Sequence, residues 1–347
     1  MNIPPRPAWR RAWDGVRRRL DRWPPGGVVL LYHRVAELDA DPQRLAVTAA
    51  AFEAHLDILR RGAAPLPLAE LVRRAHDGSL PARAVAITFD DGYADNLAVA
   101  APLLDRYGVP ATVFIASGAV GDGREFWWDA LERLLLAPGT LPARVRVTIA
   151  GEVIEQDMGT DASYSDADRA ACAGWHVEAG DTPTPRHQLY RELCRRLRRV
   201  PGDVCAAAIA GLASQASAAP PSRRALTPDE VTALGARDGI QIGSHTHSHP
   251  SLAYLRHDDQ RREIAEGRRH VESWRGSPAT AFAYPFGGRS DVSDEVAAVA
   301  RNAGLEFACT TEPGRVHAGT DRFRVPRVLV RNWTGDEFGE HWRRWTS

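Results

Sequence analysis

Short, largely apolar runs alternate with amphipathic helical patterns along most of this chain, and that order sets the architecture it can adopt. Such runs stand at Val28 to Tyr32, Ala84 to Phe89, Ala111 to Ala116, Ile240 to Gly243, Ala279 to Ala283 and Phe307 to Thr310, and a further strand, interrupted by Arg324 and Arg327, is expected at Phe323 to Leu329. They lack the polar alternation of a half-solvated strand, so both of their faces need cover. Helical spacing separates them. Phe52, Leu56 and Leu59 precede Gly62, further helices are expected at about 68–75, 97–107, 258–274 and 292–303, and Thr227-Pro228-Asp229-Glu230 is a capped helix start. Strands alternating with helices build parallel βαβ units. A parallel α/β barrel would carry the ends of these strands to one rim, where barrels of this kind place their chemistry. At 347 residues the chain has the length for one large α/β domain or two modest ones.

The residues that follow those runs can do chemistry. His33 follows the first, Asp90-Asp91-Gly92 the second, Ser244-His245 the fourth and Tyr284-Pro285-Phe286-Gly287 the fifth. Adjacent carboxylates repel unless a cation or a shared proton lies between them. Three of the twelve histidines fall in His245-Thr246-His247-Ser248-His249, and a one-turn separation lets His245 and His249 converge on one ion. Taken singly, Asp-Asp-Gly is equally an ordinary turn, and clustered histidines also occur as hydrogen-bonded core residues. Together they suggest two imidazoles and one carboxylate with coordination positions left for water, the arrangement of a catalytic rather than a closed structural site. Ligation would keep one aspartate, Asp91, ionised, while Asp90 stays free to accept a proton.

Composition narrows the chemistry. All 44 basic residues are Arg, and the absence of Lys excludes pyridoxal-phosphate Schiff bases, phosphate-loop nucleotide binding and protein-kinase catalysis. Net charge is zero, which argues against nucleic acid as a partner. Cys172, Cys194, Cys205 and Cys309 show no C-x-x-C spacing and read as apolar thiols. Neither a secretory apolar core nor a run of about 18 apolar residues is present, so a cytoplasmic location is expected. Residues 1–25 form a basic amphipathic segment, with Trp9, Trp13, Val16 and Leu20 on one stripe and arginines opposite. It would either pack on the main domain or lie peripherally on an anionic membrane surface. Between about 121 and 225 the alternation lapses into a largely helical insertion, with Phe126-Trp127-Trp128-Asp129 heading one helix and others at about 187–200 and 202–212.

Read by motif, the chain resembles the polysaccharide deacetylases of the NodB-homology type, carbohydrate esterase family 4. The family's T-F-D-D-G stands as Thr88-Phe89-Asp90-Asp91-Gly92, and its H-[S/T]-x-x-H as His245-Thr246-x-x-His249. Leu31-Tyr32-His33-Arg34-Val35, Phe282-Ala283-Tyr284-Pro285-Phe286-Gly287 and Phe126-Trp127-Trp128-Asp129 are also similar to family segments, and the likeness runs from about Gly27 to Val330. The resemblance implies a distorted (β/α) barrel over 26–345 acting on an acetylated glycan. It further implies Asp90 as base, and a divalent metal, zinc with cobalt or nickel as alternatives, held by Asp91, His245 and His249. Tyr284 and Phe286 are then candidates for contact with substrate and oxyanion. Two departures stand out. Where the family has an Arg that orients the base, this chain has Ala283, leaving Arg324 or Arg327 as replacements. Where the family has a late L-x-H with a general acid, residues 324–328 hold no His, leaving His33 or His317. The expected activity is removal of N-acetyl groups, with O-acetyl ester or other amide hydrolysis, or glycan binding with impaired catalysis, as alternatives.

Overall fold

The computed structural model describes residues 24–121 and 125–347, so the basic amphipathic segment lies almost wholly outside the described residues. Seven parallel strands make the frame, numbered here β1 Val28–Tyr32, β2 Ala84–Phe89, β3 Ala111–Ile115, β4 Ile240–Ser244, β5 Ala281–Ala283, β6 Phe307–Cys309 and β7 Val328–Leu329. They lie side by side in the order β6-β5-β4-β3-β2-β1-β7, with a two-residue strand, Ala64–Pro65, paired to the start of β2. Every pairing along this path is parallel, so all seven strands finish at one rim.

The sequence pattern explains why these strands are continuously apolar. Val28, Leu30, Tyr32, Val85, Ile87 and Phe89 face outward into a core shared with Phe52, Leu56 and Leu59 of the helix Ala49–Gly62. Their neighbours Val29, Ala84, Ala86, Phe114, Ala283 and Cys309 face a second, inner cluster. Burial on both faces contributes roughly 2 kcal/mol for each large aliphatic side chain. The inner face is built mostly of small residues, which leaves room at the barrel centre for a large polar side chain.

The expected strand 323–329 is broken. Asp321 caps a 3-10 turn at Arg322–Arg324 by accepting from the Phe323 amide, 2.9 Å, and Pro326 follows. Strand pairing resumes at β7. The break has a use: Val325 bridges Cys309 at one edge of the sheet, and three residues later β7 pairs with β1 at the other. One segment therefore joins both edges and closes a distorted (β/α) barrel.

The insertion builds its own core from Leu131, Leu135, Val145, Val147, Leu193, Leu212 and their neighbours. Its helices Pro185–Leu197 and Gly202–Ala213 lie where helical spacing placed them. It also contains an antiparallel hairpin, Arg144–Ile149 with Glu152–Asp157, that the largely helical reading did not include. Ala150 and Gly151 at its tip have φ 50° and 85°, as a tight hairpin turn requires. Among the described residues no helix is long and apolar enough to cross a membrane.

Candidate metal centre and catalytic site

The rim assembles from strand ends. The Asp90 amide extends the ladder to the Tyr32 carbonyl at 3.0 Å, and the chain then turns sharply, with the Gly92 amide on the Asp90 carbonyl at 2.9 Å. Asp91 sits at φ 74° and Gly92 at φ 84°, where glycine is favoured, and a Cβ on Gly92 would press on Ile115 Cδ1 at 2.7 Å. Of the seven non-glycine residues with positive φ among the described residues, four (Asp91, Thr246, His249 and Phe286) belong to this rim. Backbone held this way costs about 1–3 kcal/mol per residue and collects at functional sites.

His245 and His249 meet through a loop rather than through one turn of helix, with Thr246 and His249 left-handed and the His249 amide donating to Thr246 Oγ1 at 3.1 Å. The helix His257–Arg275 holds this loop. Its Glu263 carboxylate accepts from the His247 amide (3.0 Å), the Ser248 amide (2.7 Å) and the Ser248 hydroxyl. Its Gly267 lies so close that an added Cβ would meet the Thr246 carbonyl at 2.5 Å.

The buried side chains of Asp91, His245 and His249 offer ligand atoms that all lie within 4.8 Å of one another. Asp91 Oδ1 is 3.1 Å from His249 Nε2 and 3.5 Å from His245 Nε2. Nevertheless that oxygen is oriented for no hydrogen bond among the described residues. His245 Nδ1 lies 2.7 Å from the Ala283 carbonyl, which fixes the tautomer with its N–H there and turns the Nε2 lone pair toward Asp91. His249 is packed by Trp128 at 4.7 Å and Phe286 at 5.0 Å between ring centroids. Burial pushes the Asp91 carboxyl up, but the two imidazoles outweigh it and hold the group far below the usual carboxylate range. One buried carboxylate oxygen without a hydrogen bond, facing two imidazole nitrogens, is a donor set that suits a divalent transition metal.

Asp90 lies beside this group, its Oδ2 3.8 Å from His245 Nε2. The fully buried Arg327 grips it in a fork, Nη1 to Oδ1 and Nη2 to Oδ2, both at 2.7 Å. The same guanidinium donates to Thr88 Oγ1 at 3.2 Å and the Thr310 carbonyl at 2.9 Å. Burial raises the Asp90 carboxyl, yet the charges of Arg327 and His245 keep it below its ordinary value. Arg327 comes from the closing segment, across the small inner face that includes Ala283. Arg324 instead turns outward to the Val292 carbonyl and Asp294.

A cavity of about 470 Å³ opens over the group, lined by His33, Asp90, Asp91, His245, His249 and Phe286 among others. Burial lowers the His33 imidazole pKa against the pull of Asp91 and Asp90. Phe286 is left-handed at φ 61°, and its amide has no hydrogen-bond partner among the described residues. Tyr284 does not reach this cavity, which corrects its expected contact with substrate or oxyanion. Its ring is buried in the apolar cluster behind the rim, its hydroxyl donates to the Phe323 carbonyl at 3.1 Å, and its amide is spent on the Cys309 carbonyl at 3.1 Å. His317 is also remote, next to Val316, which bridges Gly27 at the opposite end of the strands.

Sequence reasoning missed a buried chain below the site. Trp128 Nε1 donates to the Tyr93 hydroxyl at 2.7 Å, and that hydroxyl donates to Asp129 at 2.8 Å. Burial pushes the Asp129 carboxyl up to about 6 despite the opposing charges of Arg34 and Arg223. Trp128 is thereby fixed beneath His249, whereas Trp127 is half-exposed on the cavity wall.

Comparison with known proteins bears on the family and the fold. The sequence model of the family described as Polysaccharide deacetylase matches residues 77–140 and 204–308, and the gap falls in the insertion. YxkH of Bacillus subtilis (strain 168), assigned by its name to the polysaccharide deacetylases, is 21% identical over 316 residues, 90% of this chain and 75% of that protein. The poly-beta-1,6-N-acetyl-D-glucosamine N-deacetylase of Escherichia coli (strain K12) is 36% identical over 93 residues, only 26% of this chain and 14% of that protein. In fold, IcaB from Ammonifex degensii superimposes with a TM-score of 0.57 at 19% identity, covering 94% of this chain and 99% of that one. The Streptococcus pyogenes deacetylase PplD, in complex with acetate, gives 0.56 at 17% identity, covering 91% and 98%. Motifs, barrel and family match together place this chain in the polysaccharide deacetylase family.

Proposed function

We propose that this protein is a metal-dependent hydrolase that removes acetyl groups, foremost N-acetyl groups, from a sugar of a polysaccharide or glycan intermediate. The observation that carries this reading is the buried convergence of Asp91, His245 and His249 within 4.8 Å, with the Asp90 carboxylate fixed beside it. A divalent ion held by these three side chains, zinc with cobalt or nickel as alternatives, would supply Lewis acidity toward the acetyl carbonyl and toward water. Asp90 is the proton acceptor. The Arg327 fork keeps it ionised and fixes its plane, and each oxygen keeps a lone pair free of the fork. The Phe286 N–H is the donor available to negative charge growing on the acetyl oxygen. His33, on the same cavity wall, is placed to pass a proton to the departing nitrogen. The proton it hands on would be the one that Asp90 takes from water.

The alternative of an inactive glycan binder is motivated by the missing Arg at position 283 and the missing late His. Arg327, from another segment, grips Asp90, and His33 lines the cavity, which favours the catalytic reading. The test is acetate release from N-acetylated amino-sugar oligomers and from O-acetylated xylan, before and after chelation and after adding back zinc, cobalt or nickel. Release from the amino sugars that chelation abolishes and metal restores is expected. Release from xylan alone would move the assignment to an ester hydrolase. The basic segment 1–25 is a proposed peripheral membrane contact, tested by cosedimentation with anionic liposomes with and without those residues.

A further inference from the structure

The insertion turns an arginine-rich surface into the catalytic cavity. Arg191, Arg195, Arg198 and Arg199, on and just beyond the helix Pro185–Leu197, line the cavity that also exposes Asp91, His245 and His249, and Arg331 joins them from beyond β7. Positions 191, 195 and 198 share one helical face, where like charges repel. The helix dipole favours cations only in its last turn and does not account for Arg191, which lies a full turn earlier.

The nearby carboxylates do not balance these charges. Glu192 is shared by Arg195 at 2.7 Å and Arg196 at 2.5 Å. Asp291 is taken by Arg198, and Glu178 faces both Arg331 at 2.8 Å and Arg44 at 3.5 Å. Asp90 is already matched by Arg327. Arg191 and Arg199 have no carboxylate partner among the described residues. Arg191 is pinned by the carbonyls of Ala179 at 2.8 Å and Asp181 at 2.6 Å, and its buried Nε makes no hydrogen bond to a described residue. Arg199 lies over the Tyr254 ring at 4.4 Å. The charge is also directional. On the other side of Trp127 and His249 a second cavity is lined by Glu125, Asp203, Asp259, Glu263 and Glu266, with Arg262 as the opposing cation, so the excess of basic charge is confined to one side of the rim.

We propose that this basic wall is a subsite for an anionic group of the substrate, a phosphate or carboxylate carried by the glycan next to its acetylated sugar, with Arg191 and Arg199 as its principal contacts. The proposal rests on the deacetylase reading for the acetylated sugar, while the anion contact is an independent property of the cavity. Guanidinium groups bind such anions through short, charge-assisted hydrogen bonds, and losing one changes affinity by roughly tenfold or more.

The test is binding to the full chain carrying Asp90→Asn, so that the acetyl group survives the titration. The probes are N-acetylglucosamine 1-phosphate, a glucuronate-containing N-acetylglucosamine disaccharide and neutral methyl N-acetylglucosaminide. At low salt one or both anionic probes should bind about tenfold more tightly than the neutral one, and which of them does so names the anion's source. Arg191→Gln with Arg199→Gln should bring that ratio close to one, Arg191→Lys with Arg199→Lys should restore part of it, and high salt should erase it. A ratio near one in the parent, or one that persists in the double Gln variant, overturns the subsite. Acetate release by the unsubstituted chain is measured in parallel: its absence with the binding ratio intact defeats the deacetylase reading alone, and its presence with a ratio near one defeats the anion subsite alone.

Discussion

Two arginines are the largest fully buried side chains of the described residues, and they are buried for different ends. Arg327, at the barrel centre, spends its fork on one carboxylate, Asp90, within reach of the imidazoles. Arg186, in the insertion, meets no carboxylate. It donates to the carbonyls of Asp161, Leu135 (3.0 Å), Gly139 (3.0 Å) and Ala162 (2.8 Å), tying three short stretches, at 135, 139 and 161–162, to one helix. A buried guanidinium on a carboxylate fixes a reactive group, and one on carbonyls replaces missing secondary structure. The barrel's buried guanidinium thus holds the proposed base, and the insertion's holds its own backbone.

Substitutions should separate these roles. Asp90→Asn removes the proton acceptor and should lower the rate of acetate release by about three orders of magnitude, while metal content by elemental analysis stays that of the parent. Arg327→Lys keeps the charge but loses the fork, and should cost about a hundredfold in the same assay through misplacement of Asp90. Activity within a few fold of the parent would mean that the fork serves stability alone. Arg186→Met leaves several carbonyls unpaired and should destabilise the insertion by about 3 kcal/mol, read as faster hydrogen exchange in 135–213 than in the barrel, with metal content unchanged. Equal loss of protection in both regions would contradict a separate insertion core.

Acid should weaken both regions through one device. Burial lowers His55 in the barrel and His187 in the insertion to about 4 each, opposed for His55 by its bond to the Trp333 carbonyl. Unfolded histidine titrates near 6.5, so the unfolded chain binds more protons between those values. Their contribution is complete above about pH 6.5 and drains as pH falls toward 4, reaching roughly 3 kcal/mol for the fully buried His55. The thermal midpoint should fall over that window, and His55→Gln should flatten the barrel's share of the slope. A midpoint that rises on acidification would refute the neutral burial of both rings.

The residues that converge at the candidate metal centre were legible in the sequence because each element announces itself locally: an acidic pair after an apolar run, and two imidazoles four residues apart after another. Arg327 was not decidable, since Arg324-Val325-Pro326-Arg327 carries no motif and only barrel closure turns one arginine inward and the other out. Tyr284 misled because it stands beside the rim in sequence, whereas strand alternation and its hydroxyl's bond to Phe323 direct it behind the rim. The hairpin was half visible. Arg144-Val145-Arg146-Val147-Thr148-Ile149 alternates polar with buried residues, but its partner, Glu152–Asp157, is polar and largely exposed and shows no such signal.

If Asp91, His245 and His249 hold one divalent ion and Asp90 stays free of it, metal stoichiometry of the purified full chain, measured beside His245→Ala, His249→Ala and Asp90→Asn, will separate the two roles. About one ion per chain is expected in the parent and in Asp90→Asn, with most of it lost from either histidine variant. A parent without stoichiometric metal under metal-replete conditions, or histidine variants that keep it, would rule out this metal centre.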